Sequence, residues 1–182
     1  MGMPHLRILA LMLLTGCLTS TAEAPRAQAA PEKTQPGPLK PPELSLKRLD
    51  GQPPWHLSDE RGHVVLLDVW ATWCEPCRDS LPLYNELEAQ FRARGLKVFA
   101  INVDEDSSQI AKFLSEVKVT VPVLIDPGAL SAESELHVKL MPTAFLIDRA
   151  GKVREVHEGF SEDAKATYQS QIEALLAEGA DQ

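Results

Sequence analysis

The sequence has no long hydrophobic run. Its longest apolar stretch, Ile8-Leu9-Ala10-Leu11-Met12-Leu13-Leu14, falls well short of the about 20 residues that a membrane-spanning helix needs. Basic residues are outnumbered: 18 Lys and Arg face 26 Asp and Glu, a formal net charge of −8. No global basic field exists, so nucleic acid is not expected as a partner. Cysteine is scarce at three residues. That is too few for a small fold stapled by disulfides, and an odd number cannot all pair within one chain. A second C-x-x-C and an H-x3–5-H pattern are both missing, so a zinc site would lack half its ligands and no metal is expected. Internal repeats are absent too. What is present is apolar side chain, 44% of 182 residues, enough for one folded domain with room for a tail.

Arg7 followed by residues 8–14 reads as the basic start and short apolar core of an export signal. Leu14-Thr15-Gly16-Cys17 resembles the lipobox of bacterial lipoproteins. That resemblance implies cleavage after Gly16 and lipidation of the Cys17 thiol. The alternative is ordinary secretion, with cleavage at Ala22-Glu23-Ala24 or Ala27-Gln28-Ala29. One route leaves the chain lipid-anchored on the periplasmic side of a bacterial membrane, the other soluble in the periplasm. Residues 17–42 hold Pro25, Pro31, Pro36, Pro38, Pro41 and Pro42 and little that is apolar. Such a segment stays extended and reads as a tether. The expected organisation is signal 1–16, tether 17–42 and folded domain 43–182. The domain alone carries 14 basic and 24 acidic residues, which mildly favours basic clients.

Within the domain, Leu44 to Leu49 alternates as a half-buried strand, Asp50-Gly51 marks a turn, and Trp55-His56-Leu57 is its return. Val64 to Trp70 and Val98 to Val103 are apolar runs of the kind found in strands covered on both faces. Helices are expected over 76–94, ended by Gly95, and over 107–117, 129–138 and 162–176. Val123-Leu124-Ile125 and Ala144 to Ile147 are further strands, the latter paired in a hairpin with Val153 to His157. This alternation predicts an α/β fold: a central mixed sheet flanked by helices, with an N-terminal hairpin and an antiparallel terminal edge.

Chemistry concentrates at Trp73-Cys74-Glu75-Pro76-Cys77, between the central strand and the long helix. A C-x-x-C in a βαβ setting reads as a redox pair. The helix N-terminus carries about half a positive charge, which favours a thiolate at Cys74. Cys74, exposed at the junction, is expected to attack a client disulfide, and Cys77, one turn in and more buried, to resolve the mixed disulfide. Pro76 suits a first helical turn because no N–H is needed there. Glu75 places negative charge beside Cys74 and should raise its pKa. Trp70 and Trp73 should pack around the site, with Trp73 shielding Cys74. His56, His63, His137 and His157 read as surface or packing residues. A disulfide that is merely structural would restrain a loop of only two residues and contribute little.

Val64 to Cys77 resembles the strand-to-active-site segment of thioredoxin-like proteins, and Trp70-Ala71-Thr72-Trp73-Cys74 is similar to their extracytoplasmic TlpA/ResA branch. Met141-Pro142-Thr143 resembles the family's cis-proline loop, Asp148 to Val153 its terminal hairpin, and residues 107–126 its central insertion. The resemblance covers about 43–178. It implies a thioredoxin fold and thiol–disulfide oxidoreductase activity in which the cysteine pair itself is the redox group, with no separate cofactor. Client proteins and a membrane-embedded thiol electron donor are the implied partners, and a monomer is expected. Pro142 is implied to be cis and to face the cysteines, with the Met141 backbone pairing with a client strand. Asp68 falls where thioredoxins keep a buried acid, a proton acceptor for Cys77, whereas many TlpA-like proteins have Asn. Ser80 stands where ResA-like reductases of cytochrome c maturation have Glu. An alternative is a binding module holding copper through Cys74 and Cys77. SCO-type copper proteins use C-x-x-x-C plus a His, and the spacing here is one residue short. A peroxiredoxin would need Thr three residues before its Cys, and Thr72 lies two before.

Overall fold

The computed structural model describes residues 42–161 and 163–178, together with the backbone of 33–36. The signal segment, Cys17 and most of the tether lie outside the described residues. In chain order the strands are β1 (Lys33–Pro36), β2 (Ser45–Arg48), β3 (Trp55–His56), β4 (Val64–Trp70), β5 (Leu96–Asn102), β6 (Val123–Ile125), β7 (Thr143–Ile147) and β8 (Val153–Glu158). The helices are α1 (Cys77–Phe91), α2 (Ile110–Val117), α3 (Leu130–Ser134) and α4 (Ala164–Ala177). One sheet runs in the order β1-β8-β7-β4-β5-β6-β2-β3.

The centre of the sheet follows from the apolar runs. All seven side chains of β4 are buried. A strand without a polar face needs cover on both sides and paired neighbours at both edges. β4 has β5 parallel on one side and β7 antiparallel on the other. β6 extends the parallel part and β8 the antiparallel part. The β2–β3 hairpin closes one edge through β6. At the other edge β1 pairs antiparallel with β8, Lys33 opposite Glu158. The tether expected over 17–42 therefore includes four residues of sheet.

All four helices differ in their bounds from expectation: α2, expected from 107, starts at Ile110 after a 3-10 turn over Ser107–Gln109, and α4, expected over 162–176, spans Ala164–Ala177. α1 begins at Cys77 rather than 76 and gives way to a 3-10 turn over Arg92–Arg94, ended by Gly95 at φ 103°. The helix expected over 129–138 is only the five residues of α3. Ala129 (φ 59°) and His137 (φ 57°) are left-handed, and a helix cannot continue through such a residue. Asp126 starts α3 instead, its carboxylate accepting the Ser131 and Ala132 amides at 2.8–3.1 Å.

Asn85 of α1 ties the central insertion to the fold. Its Nδ2 donates to the Lys118 carbonyl at 2.8 Å, and its Oδ1 accepts from the Thr120 and Val121 amides. Asn85→Ala leaves these backbone groups to water and is expected to cost about 1–3 kcal/mol, read as a lower urea midpoint at unchanged slope. A loss within ±0.3 kcal/mol would show that the loop holds itself.

Register then places the site. Asp68 pairs with Ala100 on β5 and with Ala144 on β7, and Ala144 pairs with His157 on β8. Residues directly opposite share a face. His157, Ala144, Asp68 and Ala100 thus form one row across the sheet. Val69 pairs with Thr143, so Pro142 lies at the sheet end where β4 passes into the cysteine turn.

Candidate active site

Four consecutive tight turns carry the chain from β4 into α1. The Cys74 amide donates to the Ala71 carbonyl, Cys77 to Cys74, Arg78 to Glu75, and Asp79 to Pro76, all at 3.1–3.2 Å. Pro76, at φ −64° and ψ −20°, is the residue before the first helical one and has no N–H to leave unpaired. Cys74 therefore sits in the turn before α1, and Cys77 on its first residue. Their Cα atoms are 5.4 Å apart and the sulfurs are joined in a disulfide, a separation normal for that bond.

Cys77 is the more buried cysteine and Trp70 is packed, as expected, but two exposures differ from the sequence expectation. Cys74 was expected exposed and Trp73 packed. Cys74 is 4% accessible, Cys77 is fully buried, and the Trp73 side chain is 69% accessible. The indole projects outward because the buried aromatic position is already filled by Trp70, which stacks on Phe113 at 4.9 Å. Trp73 and Met141 instead border one groove of about 580 Å³, whose other lining includes Val103, Asp104 and Glu105. The Met141–Pro142 peptide bond is cis, and Pro142 is buried. Its carbonyl accepts the Gly159 amide at 2.8 Å.

Glu75 is almost fully exposed, with the Arg78 guanidinium 3.8 Å away, so water and a cation both weaken its effect on Cys74. Arg78 also pairs with Glu116 of α2 at 3.1 Å and lies over the Phe113 ring. Ser80, buried, returns its hydroxyl to the Cys77 carbonyl at 3.4 Å, so it presents no free polar group where the ResA branch has a carboxylate.

Asp68 is completely buried, and neither carboxylate oxygen makes a hydrogen bond. Burial pushes its pKa up from 3.8 to about 8; the nearby Tyr84 hydroxyl and Val69 amide offset part of the rise. Of the four histidines in the domain, His157 is fully buried and packs on Tyr168, whereas His56 and His137 are exposed. No group of three or more His, Cys, Asp or Glu among the described residues is placed to hold a metal.

Two features escaped the sequence. Asp104, buried, accepts the Thr72 amide at 3.1–3.2 Å and the Asn102 amide side chain at 2.9 Å, and so pins the approach to Cys74. Asn102-x-Asp104 at the end of β5 was the available signal, but only the parallel pairing of β4 and β5 brings it to Thr72. The second is the meeting of Tyr84 with Tyr168, which are 84 residues apart.

The comparisons with known proteins agree with this geometry. The Redoxin family model matches residues 28–176. The thiol-disulfide oxidoreductase ResA of Geobacillus thermodenitrificans is 37% identical over 120 residues, 65% of this chain and 67% of that protein. ResA of Bacillus thuringiensis is 33% identical over 149 residues, 82% of this chain and 84% of its own. A crystal structure from Chlorobium tepidum, described as a thiol:disulfide interchange protein DsbE, is 40% identical with a TM-score of 0.72. The match covers 79% of this chain and 99% of that one. With the cysteine pair bonded at the head of α1, these likenesses place the chain in the Redoxin family, as a thiol–disulfide oxidoreductase of the ResA/DsbE type.

Proposed function

We propose that the protein reduces disulfides of client proteins outside the cytoplasm through Cys74 and Cys77, fed by a membrane-embedded thiol donor. The observation that carries the mechanism is the buried Asp68, held on the row of the sheet covered by α1. A donor thiolate attacks Cys74 Sγ, the Cys74–Cys77 bond breaks, and Cys77 leaves with the proton of Asp68. A second donor thiolate releases Cys74. The dithiol then carries two electrons. Next the Cys74 thiolate attacks a client disulfide, forming a mixed disulfide and expelling one client thiolate. Cys77 returns its proton to Asp68 and attacks Cys74 Sγ, restoring the disulfide and releasing the second client sulfur. An acid whose pKa lies near the working pH can both give and take that proton.

Trp73 and Met141, on the rim of one groove, supply apolar contact for an extended client strand, with the Met141 backbone beside it. Pro142 and Pro76 fix the backbone around the cysteines. The export signal and Cys17 support a lipid anchor on the periplasmic side, and no helix among the described residues is long and apolar enough to cross a membrane. The ResA likeness supports cytochrome c maturation as one client route, while Ser80 argues for a broader client set.

Cys77→Ser should accumulate mixed disulfides through Cys74 in the periplasm, visible as adducts on non-reducing gels. Adducts through Cys77 in a Cys74→Ser variant would reverse the roles. For a reductant, the potential of the pair should lie near thioredoxin's, about −270 mV. A value near −120 mV, about that of the oxidant DsbA, would reverse the direction. Tight Cu(I) binding with no disulfide exchange would replace the reading with copper delivery.

A further inference from the structure

The sequence has only two tyrosines, and both bring their hydroxyls to one buried point. Tyr84 lies two turns beyond Cys77 on α1, and residues seven apart share a helix face. Tyr168 comes from α4. Both side chains are fully buried. The rings meet edge to face with centroids 5.7 Å apart, and the hydroxyl oxygens are 3.3 Å apart. Either oxygen can be the donor. Phenylalanine would fill the same space without the cost of burying two hydroxyls, so packing alone does not account for the pair.

The Tyr84 hydroxyl also lies close enough to Asp68 to stabilise its carboxylate, so the pair reaches Asp68 through Tyr84. The neighbours of Asp68 in the row are Ala100 and Ala144, which leave room for rings from the helices above. The titratable groups facing this layer are Cys77 and Tyr84 from α1, Tyr168 from α4, and His157 one strand beyond Ala144. The His157 ring packs tilted against Tyr168 with centroids 4.4 Å apart and is joined to Gln171 through Nε2 and Oε1 at 2.8 Å. That contact holds the Tyr168 ring in place.

We propose that Tyr84 and Tyr168 form a two-hydroxyl relay whose direction follows the protonation of Asp68. The inference rests on Asp68 being the proton acceptor for Cys77. When Asp68 holds a proton, Tyr84 donates to Tyr168. When Asp68 is a carboxylate, the Tyr84 hydroxyl turns to it and Tyr168 donates to Tyr84. No proton leaves either tyrosine, and the catalytic proton still moves between Cys77 and Asp68. The tyrosines are positioning residues: they supply the hydrogen bond that a buried carboxylate needs.

The test is the pH profile of the resolving step in the full chain, with single-turnover release of a client thiol as readout. Tyr84→Phe keeps the ring and should move the Asp68 midpoint up by about one pH unit, slowing resolution about tenfold at neutral pH. Tyr168→Phe should move it the same way by less. In an Asp68→Asn background neither change should have any effect. An unmoved profile in Tyr84→Phe, or a shift that persists without Asp68, would overturn the relay. So would a shift in Tyr84→Phe with none in Tyr168→Phe. Asp68→Asn leaving resolution unchanged would instead overturn the role of Asp68 itself. A measurement on the unaltered protein guards against a variant that misfolds: the ring-carbon resonances of both tyrosines should titrate with the Asp68 carboxyl carbon at one midpoint. Separate midpoints would end the proposal.

Discussion

Cys74→Ser is expected to reduce insulin disulfides, with dithiothreitol as donor, no faster than dithiothreitol alone. The nucleophile in thiol–disulfide exchange is the thiolate, and a serine hydroxyl neither ionises near neutral pH nor forms a disulfide. Cys77 cannot substitute, because it is fully buried. The loss would read as chemistry rather than unfolding. Opening a disulfide between residues three apart in sequence frees little chain entropy, so the stability change is small. Thermal melting of Cys74→Ser beside reduced wild type should therefore show only a small shift. Catalysis well above the donor rate in Cys74→Ser would remove Cys74 from its role.

Asp68→Asn is expected to stabilise the protein at neutral pH while slowing it. In the unfolded chain the carboxyl titrates near 3.8; folded, it titrates at about 8. The folded state therefore holds the proton more tightly. Its advantage from this group is complete below pH 3.8 and is lost as pH rises through about 8. At pH 7 the native state forgoes about 4 kcal/mol relative to a side chain that never ionises. Asparagine escapes that loss but buries an amide without ready partners, at about 1–3 kcal/mol. The net gain is about 1–3 kcal/mol at pH 7, turning to a loss of about 1–2 kcal/mol near pH 4. Urea unfolding of the oxidised proteins at the two pH values measures it. An equal difference at both would show that Asp68 is not held protonated. Function moves the other way. Reduction of the enzyme disulfide by a donor needs protonated Asp68, so its rate constant per donor thiolate should fall as pH rises through about 8, and that fall should vanish in Asp68→Asn. A core acid that costs stability is what a proton-transfer role would demand of the fold.

How far this was legible depends on the range of each interaction. Apolar runs and a helical period are local, so the strands β4, β5 and β7, the helices α1, α2 and α4, and the terminal hairpin could be read directly. The redox pair could be read too, because a C-x-x-C between a strand and a helix is itself a local pattern. The short α3 could not, since the left-handed Ala129 and His137 answer to packing rather than to propensity. Exposure at the site also depended on what lay across the fold. Trp70 occupies the space against Phe113, which leaves Trp73 outside.

The sequence by itself determined the chemistry: two cysteines at exchange spacing, an acid in the strand before them, and a third cysteine set apart in a segment read as an export signal. Only the tertiary structure decided what surrounds that acid. Strand register places Asp68 between two alanines, and two helices remote in sequence bring the chain's only tyrosines together, Tyr84 beside it. Such contacts depend on pairing across the sheet, where a slip of one residue would turn Asp68 to the opposite face.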